Sequence, residues 1–275
     1  MSTGLSQIVQ IDYDARVKAA YQSMGILRPH VRVRTGVIGS THKFRRAQRA
    51  MAKPRIPQTP LIPMGQQYAE ATATLSPWQA SDYTDKLDQV LNNIDERQVL
   101  AENIGGAIAR RADQMVIDAL DAANGSANIV HGSTGMTFAK VEAAAGLMNA
   151  RSVPWGKRKL VISAKAYGNL LNEAKFTSAD YVEKKAITDG KLPAILGFDI
   201  IMVPDMDEGG LPLNSTTRTN FAFDADAIGL AISVETGLEV NYIPQMMSWL
   251  SAQAFSGGAV TIDALGVIEV ESTES

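Results

Sequence analysis

Residues Asn93–Ala123 read NIDERQVLAENIGGAIARRADQMVIDALDAA, and this stretch decides the fold. Asn93 is placed to cap the first turn of a helix, with Glu96 three positions on to complete a capping box. Asp95 and Glu96 put negative charge at the positive end of the helix dipole. Leu100, Ile104, Ala107, Ile108, Ala112, Met115, Val116, Ala119 and Leu120 then recur at helical spacing. Asn124-Gly125 supplies the stop. At about 1.5 Å per residue, such a helix is roughly 45 Å long, a beam rather than one layer of a small domain. Gly105 and Gly106 interrupt its middle, each costing about 1 kcal/mol relative to alanine. A kink or a close neighbour is expected there.

Working upstream, the charge is lopsided. Residues 1–69 carry eleven Lys or Arg against two acids, and residues 70–275 carry fifteen against twenty-seven. No Asp or Glu falls between Ala15 and Ala69. A basic arm is therefore joined to an acidic body. The arm includes Arg28, Arg32, Arg34, Lys43, Arg45, Arg46, Arg49, Lys53 and Arg55. Asp12–Met24 has the pattern of a short amphipathic helix closed by Gly25, His30–Gly39 that of a strand, and Gln67–Leu75 that of a second strand. Between the strands, Pro54, Pro57, Pro60 and Pro63 recur every third residue. In polyproline II geometry all four rings share one face of a stiff segment of roughly 28 Å. That is a ligand for a proline-recognition domain or, more simply, a rigid edge of a long loop. Residues 26–83 hold few large apolar side chains, so this two-stranded excursion must rest on something else to be ordered.

Downstream, Thr137–Ala150 reads as a second helix, Lys159–Ser163 as a strand and Lys165–Ala174 as a helix. Gly190–Pro204 reads as a loop, a tight turn at Gly197 and a buried strand; Asp205–Thr219 as a polar loop. Asn220–Val234 and Leu238–Tyr242 read as strands or a short helix, and Ala259–Val270 as a strand pair turning near Ala264–Gly266. The fold class is α+β.

The chain has 275 residues and no cysteine, which removes disulfides, thiolate nucleophiles and cysteine-based zinc sites. There is no apolar run long enough for a membrane span and no secretory signal core, so an intracellular protein, or one released without a secretion signal, is expected. Neither phosphate-cradling glycine motif is present. His30, His42 and His131 lack metal-ligand spacing. Gly132-Ser133-Thr134-Gly135 is not a nucleophile turn between strand and helix. Asp205-Met206-Asp207-Glu208 opens like a calcium loop but has Gly209 and Thr216 where ligands belong, so a solvated turn is expected. Asp224 and Asp226 form a carboxylate pair with nothing nearby in the sequence to complement it. No catalytic, cofactor or metal site is assigned. The basic arm has three readings: a phosphate-binding surface, a solvated charge run, or an arm lying across an identical neighbour. The charge split favours the last.

In this order of parts the chain resembles the major capsid proteins of tailed bacteriophages, the Hong Kong ninety-seven coat-protein fold shared with encapsulins. The most specific match is YTDKLDQVLNNIDERQVLAENIGGAIARRADQMVIDAL (83–120), similar to the passage from extension loop to spine helix; GKLPAILGFDIIMVP (190–204) and FAFDADAIGLAIS (221–233) look like strands of the family's axial domain. The resemblance implies an N-terminal arm at 1–29, a long β-hairpin extension loop at 30–83, a peripheral domain at 84–155 with its spine helix at 93–123, an axial domain at 156–246, and return strands of the peripheral domain at 247–275. It implies a non-enzymatic structural protein that forms hexamers and pentamers of an icosahedral head around double-stranded DNA, in the virion and, during assembly, the host cytoplasm. A portal, and a separate scaffolding or decoration protein, are the implied partners, with non-specific DNA contact and no membrane. The nine arm cations become candidates for inter-subunit contact and Gly105 and Gly106 for a hinge. No lysine–asparagine crosslinking pair is assignable. An encapsulin-like compartment shell is the alternative, and a small α/β enzyme the remote one.

Overall fold

The computed structural model describes residues 25–87, 96–123, 127–173 and 194–274. Thirteen strands are named in chain order: β1 (Arg32–Arg34), β2 (Thr41–Ala47), β3 (Tyr68–Thr74), β4 (Ser76–Asp85), β5 (Asn128–Ile129), β6 (Arg158–Ser163), β7 (Phe198–Val203), β8 (Leu213–Asn214), β9 (Thr217–Asp224), β10 (Ile228–Glu235), β11 (Glu239–Ile243), β12 (Ser248–Thr261) and β13 (Val267–Thr273). The helices are α1 (Glu96–Asp121), α2 (Phe138–Ala150) and α3 (Ala164–Leu171). The class is α+β.

The long helix runs without a break through Gly105 and Gly106. Gly106 is buried, whereas a Cβ on Gly105 would meet open space. The expected cap at Asn93 and stop at Gly125, and the helix expected over Asp12–Met24, lie outside the described residues. Ile104, Ile108, Ala112, Met115, Val116, Ala119 and Leu120 are buried as their spacing requires. Ile117 and Asp113, off that stripe, are buried too. From Ala112 onward the helix is embedded on more than one side, because two sheets close on it.

One sheet is built on β12, flanked by β10 and β11 along one edge and by β4 along the other, with β1 parallel to β10. The other runs β5-β13-β9-β6-β7, with β8 pairing β9. Period-two alternation divides the second sheet between two cores. Val161, Ile201, Phe221, Phe223 and Val267 point into a core shared with α1, Leu230, Ile232 and Phe255. Leu160, Ile162, Ala222, Ile268 and Val270 point the other way, onto Val141, Ala144 and Met148 of α2 and Ala166 and Leu170 of α3. Ser163 caps α3 by accepting from the Ala166 N–H at 3.1 Å.

Sheet membership cuts across the expected boundaries. Of 30–83, β1 and β4 belong to the β12 sheet, and only β2 and β3 form a separate hairpin. Residues 259–270 are not a strand pair: β12 and β13 lie in different sheets, joined by a 3-10 turn at Ala264–Gly266. β13 thereby joins the sheet of β6 and β7, while β10 and β11 join that of β4 and β12, so no cut at 246 separates the sheets. The expected polar loop at 205–219 contains a tight hairpin, β8 to β9, turning at Ser215 with φ of 57°. The proline run is not one continuous polyproline strand. Gln58 takes φ of 61° in a turn in which Thr59 N–H donates to the Ile56 carbonyl, so the rings of Pro54 and Pro63 cannot share one face.

Candidate inter-subunit surface

The β2–β3 hairpin is poor in apolar residues, so its order depends on one anchor. Phe44 of β2 is 3% exposed and clusters with Val37, Ala73, Leu75 and Ala231. A Cβ on Gly229 of β10 would lie 2.7 Å from the Phe44 ring, and one on Gly258 of β12 would collide with the Thr74 carbonyl. Glycine fits at both because the hairpin base crosses the sheet closely, backbone against Gly258 and the Phe44 ring against Gly229. This is the support that the sequence demanded without naming.

Most of the arm's cations are engaged inside the chain. Arg28 donates to both carboxylate oxygens of Glu235, at 2.9 and 2.8 Å. Glu70, the first acid after the basic run, sits opposite Arg45 in the hairpin register. It accepts from Lys43 at 2.9 Å and Arg45 at 3.1 Å, and the Lys43 bond, more than Arg45, holds its carboxyl below the usual range. Arg46 pairs with Asp263. Arg49 donates to the Arg151 carbonyl and Lys53 to the Pro63 carbonyl. The Arg32 guanidinium lies 5.8 Å from the Phe44 ring centroid. The side chains of Arg34 and Arg55 are exposed and make no hydrogen bond or ion pair among the described residues.

At the tip, exposed side chains are unusually large and apolar: Met51 is 85% and Leu61 82% exposed, with Ile56, Ile62 and Met64 beside them. With Arg49, Lys53 and Arg55 they make a surface both greasy and basic, with no acid from Ala15 to Ala69. At the end of the sheet where β4 and β11 stop and β12 begins, the register divides the exposed residues between two faces: Asp82 lies with Val240 and Tyr242 on one, Glu239 with Tyr83 on the other, and Met246 and Met247 are exposed in the turn between β11 and β12.

Sequence reasoning missed the acids that position the arm. Buried Asp113 of α1 accepts from the Ile26 N–H at 2.5 Å and the Leu27 N–H at 3.0 Å, fixing where the chain enters the body. Burial pushes its carboxyl up, against those backbone bonds. Its one signal was a charged residue beside the apolar stripe. Lys140 was also missed: its ammonium sits 2.8–3.0 Å from the carbonyls of His131, Thr134, Gly135 and Glu271, which share its three N–H donors. Burial pushes this amine down.

Among the described residues no group of three or more His, Asp or Glu is placed to hold a metal ion. Gly132–Gly135 is a turn in which the Ser133 N–H donates to His131 Nδ1. Asp205 pairs with Arg218 at 2.8 Å. Asp226 is complemented after all, by Lys157 at 2.7 Å, and burial pushes the Asp224 carboxyl up. No described helix is long and apolar enough to cross a membrane.

A family model described as phage capsid protein matches residues 5–274. A comparison with curated proteins finds no match. Among solved structures, the capsid of cyanophage P-SCSP1u is similar at TM-score 0.77 and 18% identity, over 100% of this chain and 96% of that one. A structure titled Mycobacterium phage Che8 follows at 0.75 and 14%, over 97% and 98%. The head of Helicobacter pylori bacteriophage KHP40 is similar at 0.75 and 12%, over 97% and 96%. At such identities these likenesses speak to fold alone.

Proposed function

We propose, from the premise that the chain belongs to the phage capsid protein family, a shell subunit that binds its neighbour through the tip of the β2–β3 hairpin. It is a structural major capsid protein of Hong Kong ninety-seven type, α+β throughout, and it resides in the virion capsid, a shell of repeated subunits. The compartment-shell alternative is not favoured. Hexamers and pentamers of an icosahedral head around double-stranded DNA are the finer reading, with α1 as spine helix and the hairpin as extension loop. A portal and a separate scaffolding or decoration protein complete that proposal, together with assembly in the host cytoplasm and no catalysis.

The observation that carries the inter-subunit reading is the hairpin tip. Large apolar side chains and cations are displayed together away from the core, while the base is clamped to its own chain. The occupant is a second copy, offering the face of its β4–β12–β11 end that carries Asp82 with Val240 and Tyr242. A contact between two different patches propagates from subunit to subunit, as a shell requires. Arg28, Lys43, Arg45 and Arg46 then hold the hairpin within the subunit. Arg34 and Arg55, with Arg49 and Lys53, whose only partners among the described residues are carbonyls rather than carboxylates, are the cations whose charge is left for the neighbour. The test is Arg49→Glu with Lys53→Glu and Arg55→Glu, alongside Leu61→Ser with Ile62→Ser. Both variants should keep the wild-type circular dichroism and thermal transition, and form no shells by electron microscopy. Normal shells from both would sink the proposal.

A further inference from the structure

β4 is the outermost strand on its side of the β12 sheet. Its inner edge pairs with β12 from Ser76 to Asp85, and no strand among the described residues pairs with its outer edge. Ten residues of exposed edge strand are a template on which another chain can add. Two hydrogen-bonding facts decide which backbone groups face outward. One rung past the strand, the Lys86 N–H donates to the Met247 carbonyl at 3.2 Å. Lys86 and Met247 continue the antiparallel register, so even-numbered residues of β4 bond to β12 and odd-numbered ones point away. The far side of β12 agrees. Ala254 exchanges bonds with Thr236, accepting from its N–H at 2.9 Å and donating to its Oγ1 at 2.8 Å, so even-numbered β12 residues face away from β4.

The outward set is therefore Pro77, Gln79, Ser81, Tyr83 and Asp85, with Leu87 just beyond. Pro77 has no N–H, and at an outward position this costs the ladder nothing. The Tyr83 N–H already donates to Asp82 Oδ1 at 2.8 Å, and the Leu87 N–H to Asp85 Oδ1 at 2.7 Å. An incoming strand thus meets a missing donor at 77, a donor occupied by a carboxylate at 83, and another at 87. The longest open run is Gln79 to Ser81, two rungs. The inner face is pinned meanwhile: Trp78 lies under the Arg111 guanidinium at 3.7 Å, and Thr84 is buried.

We propose that Pro77, Asp82 and Asp85 cap the outer edge of β4 against strand addition by a second copy. The sheet edge is closed to pairing, so copies meet through side-chain surfaces instead. Open-ended edge pairing gives filaments and aggregates in place of a closed shell. The capping is a property of the free subunit and does not depend on the shell reading.

The test is Pro77→Thr combined with Asp82→Ala, with Asp82→Asn as the control that keeps an acceptor for the Tyr83 N–H. Purified subunits are followed by sedimentation velocity, thioflavin fluorescence and electron microscopy. The double variant should show a several-fold rise in fibrous, thioflavin-positive material that is not shell, and Asp82→Asn should show no such rise. Should the double variant fail to fold, a second pair reads the same geometry. Gln79→Pro, at an outward N–H, should melt within a few degrees of the wild type. Ala80→Pro removes a bond to Gln253 and should melt far lower. Wild-type behaviour of a folded double variant, or equal damage from Gln79→Pro and Ala80→Pro, overturns the proposal. Absence of shells from the wild type would refute the shell reading and leave these outcomes readable.

Discussion

Replacing Phe44 by alanine tests how the hairpin is held. The ring is almost fully buried in a small cluster of its own, with His42 edge-on at 4.7 Å between centroids. Burying an aromatic side chain removes about 150–250 Å² from water, worth about 4–6 kcal/mol at about 25 cal/mol per Å². Measured Phe→Ala losses in cores run about 3–5 kcal/mol. The competing restraint is the Arg46–Asp263 pair, whose side chains remain 35% and 34% exposed. Such a pair is worth about 0–1 kcal/mol, so the ring outweighs it several-fold. The cluster joins the hairpin to β10 and β12 and is separate from the core around α1, so the loss should fall on docking rather than on global unfolding. At about 1.4 kcal/mol per factor of ten, a loss of 3 kcal/mol raises local opening roughly a hundredfold. Hydrogen exchange should therefore accelerate by about that factor in β2, β3 and Leu75, whose N–H donates to Ser40. Protection in α1 and β13 should stay put, and shell yield should collapse. Unchanged exchange in β2 and β3 would refute the anchor, and uniform acceleration including α1 would refute its independence. Gly229→Ala probes the same contact from below: its Cβ would press the ring at 2.7 Å, and overpacking of this kind costs about 1–3 kcal/mol.

Lys140→Met strips the donor from four carbonyls and should destabilise by about 3 kcal/mol or more; a loss of unfolding free energy in urea under a third of that would count against the cage as a determinant. Gly105→Ala adds a methyl where nothing lies within 4 Å, so it should stabilise the subunit by about 1 kcal/mol; with Gly106→Ala it should slow any shell expansion that bends α1, and unchanged expansion would dismiss the hinge. Asp224 gives a pH signature. Burial raises its folded pKa, so the native state holds the proton more tightly than the unfolded chain, and its ionisation costs stability above that pKa. Asp224→Asn should therefore exceed the wild type in melting temperature at neutral pH and lose that advantage as pH falls through the folded pKa. A gap that widens in acid would show the sign to be wrong.

The sequence by itself determined what depends on neighbours along the chain. Periodicity over 26 residues made α1 legible, and short strand-like runs made β3 and β6 legible, because both signals repeat within a few residues. The excess of charge at residues 16–69 was legible as a count, and the arm's lack of apolar residues implied that it must lean on something. Only tertiary structure decided what it leans on, since Phe44 meets Gly229 across 185 positions of chain. The acids that bind the arm are equally remote: Glu235 lies 207 residues from Arg28 and Asp113 lies 86 from Leu27. The assignment of β12 and β13 to different sheets was beyond reach for the same reason. Any strand's edges accept any partner, and what selects one is the burial of both faces at once, a choice that exists only when the whole chain is packed.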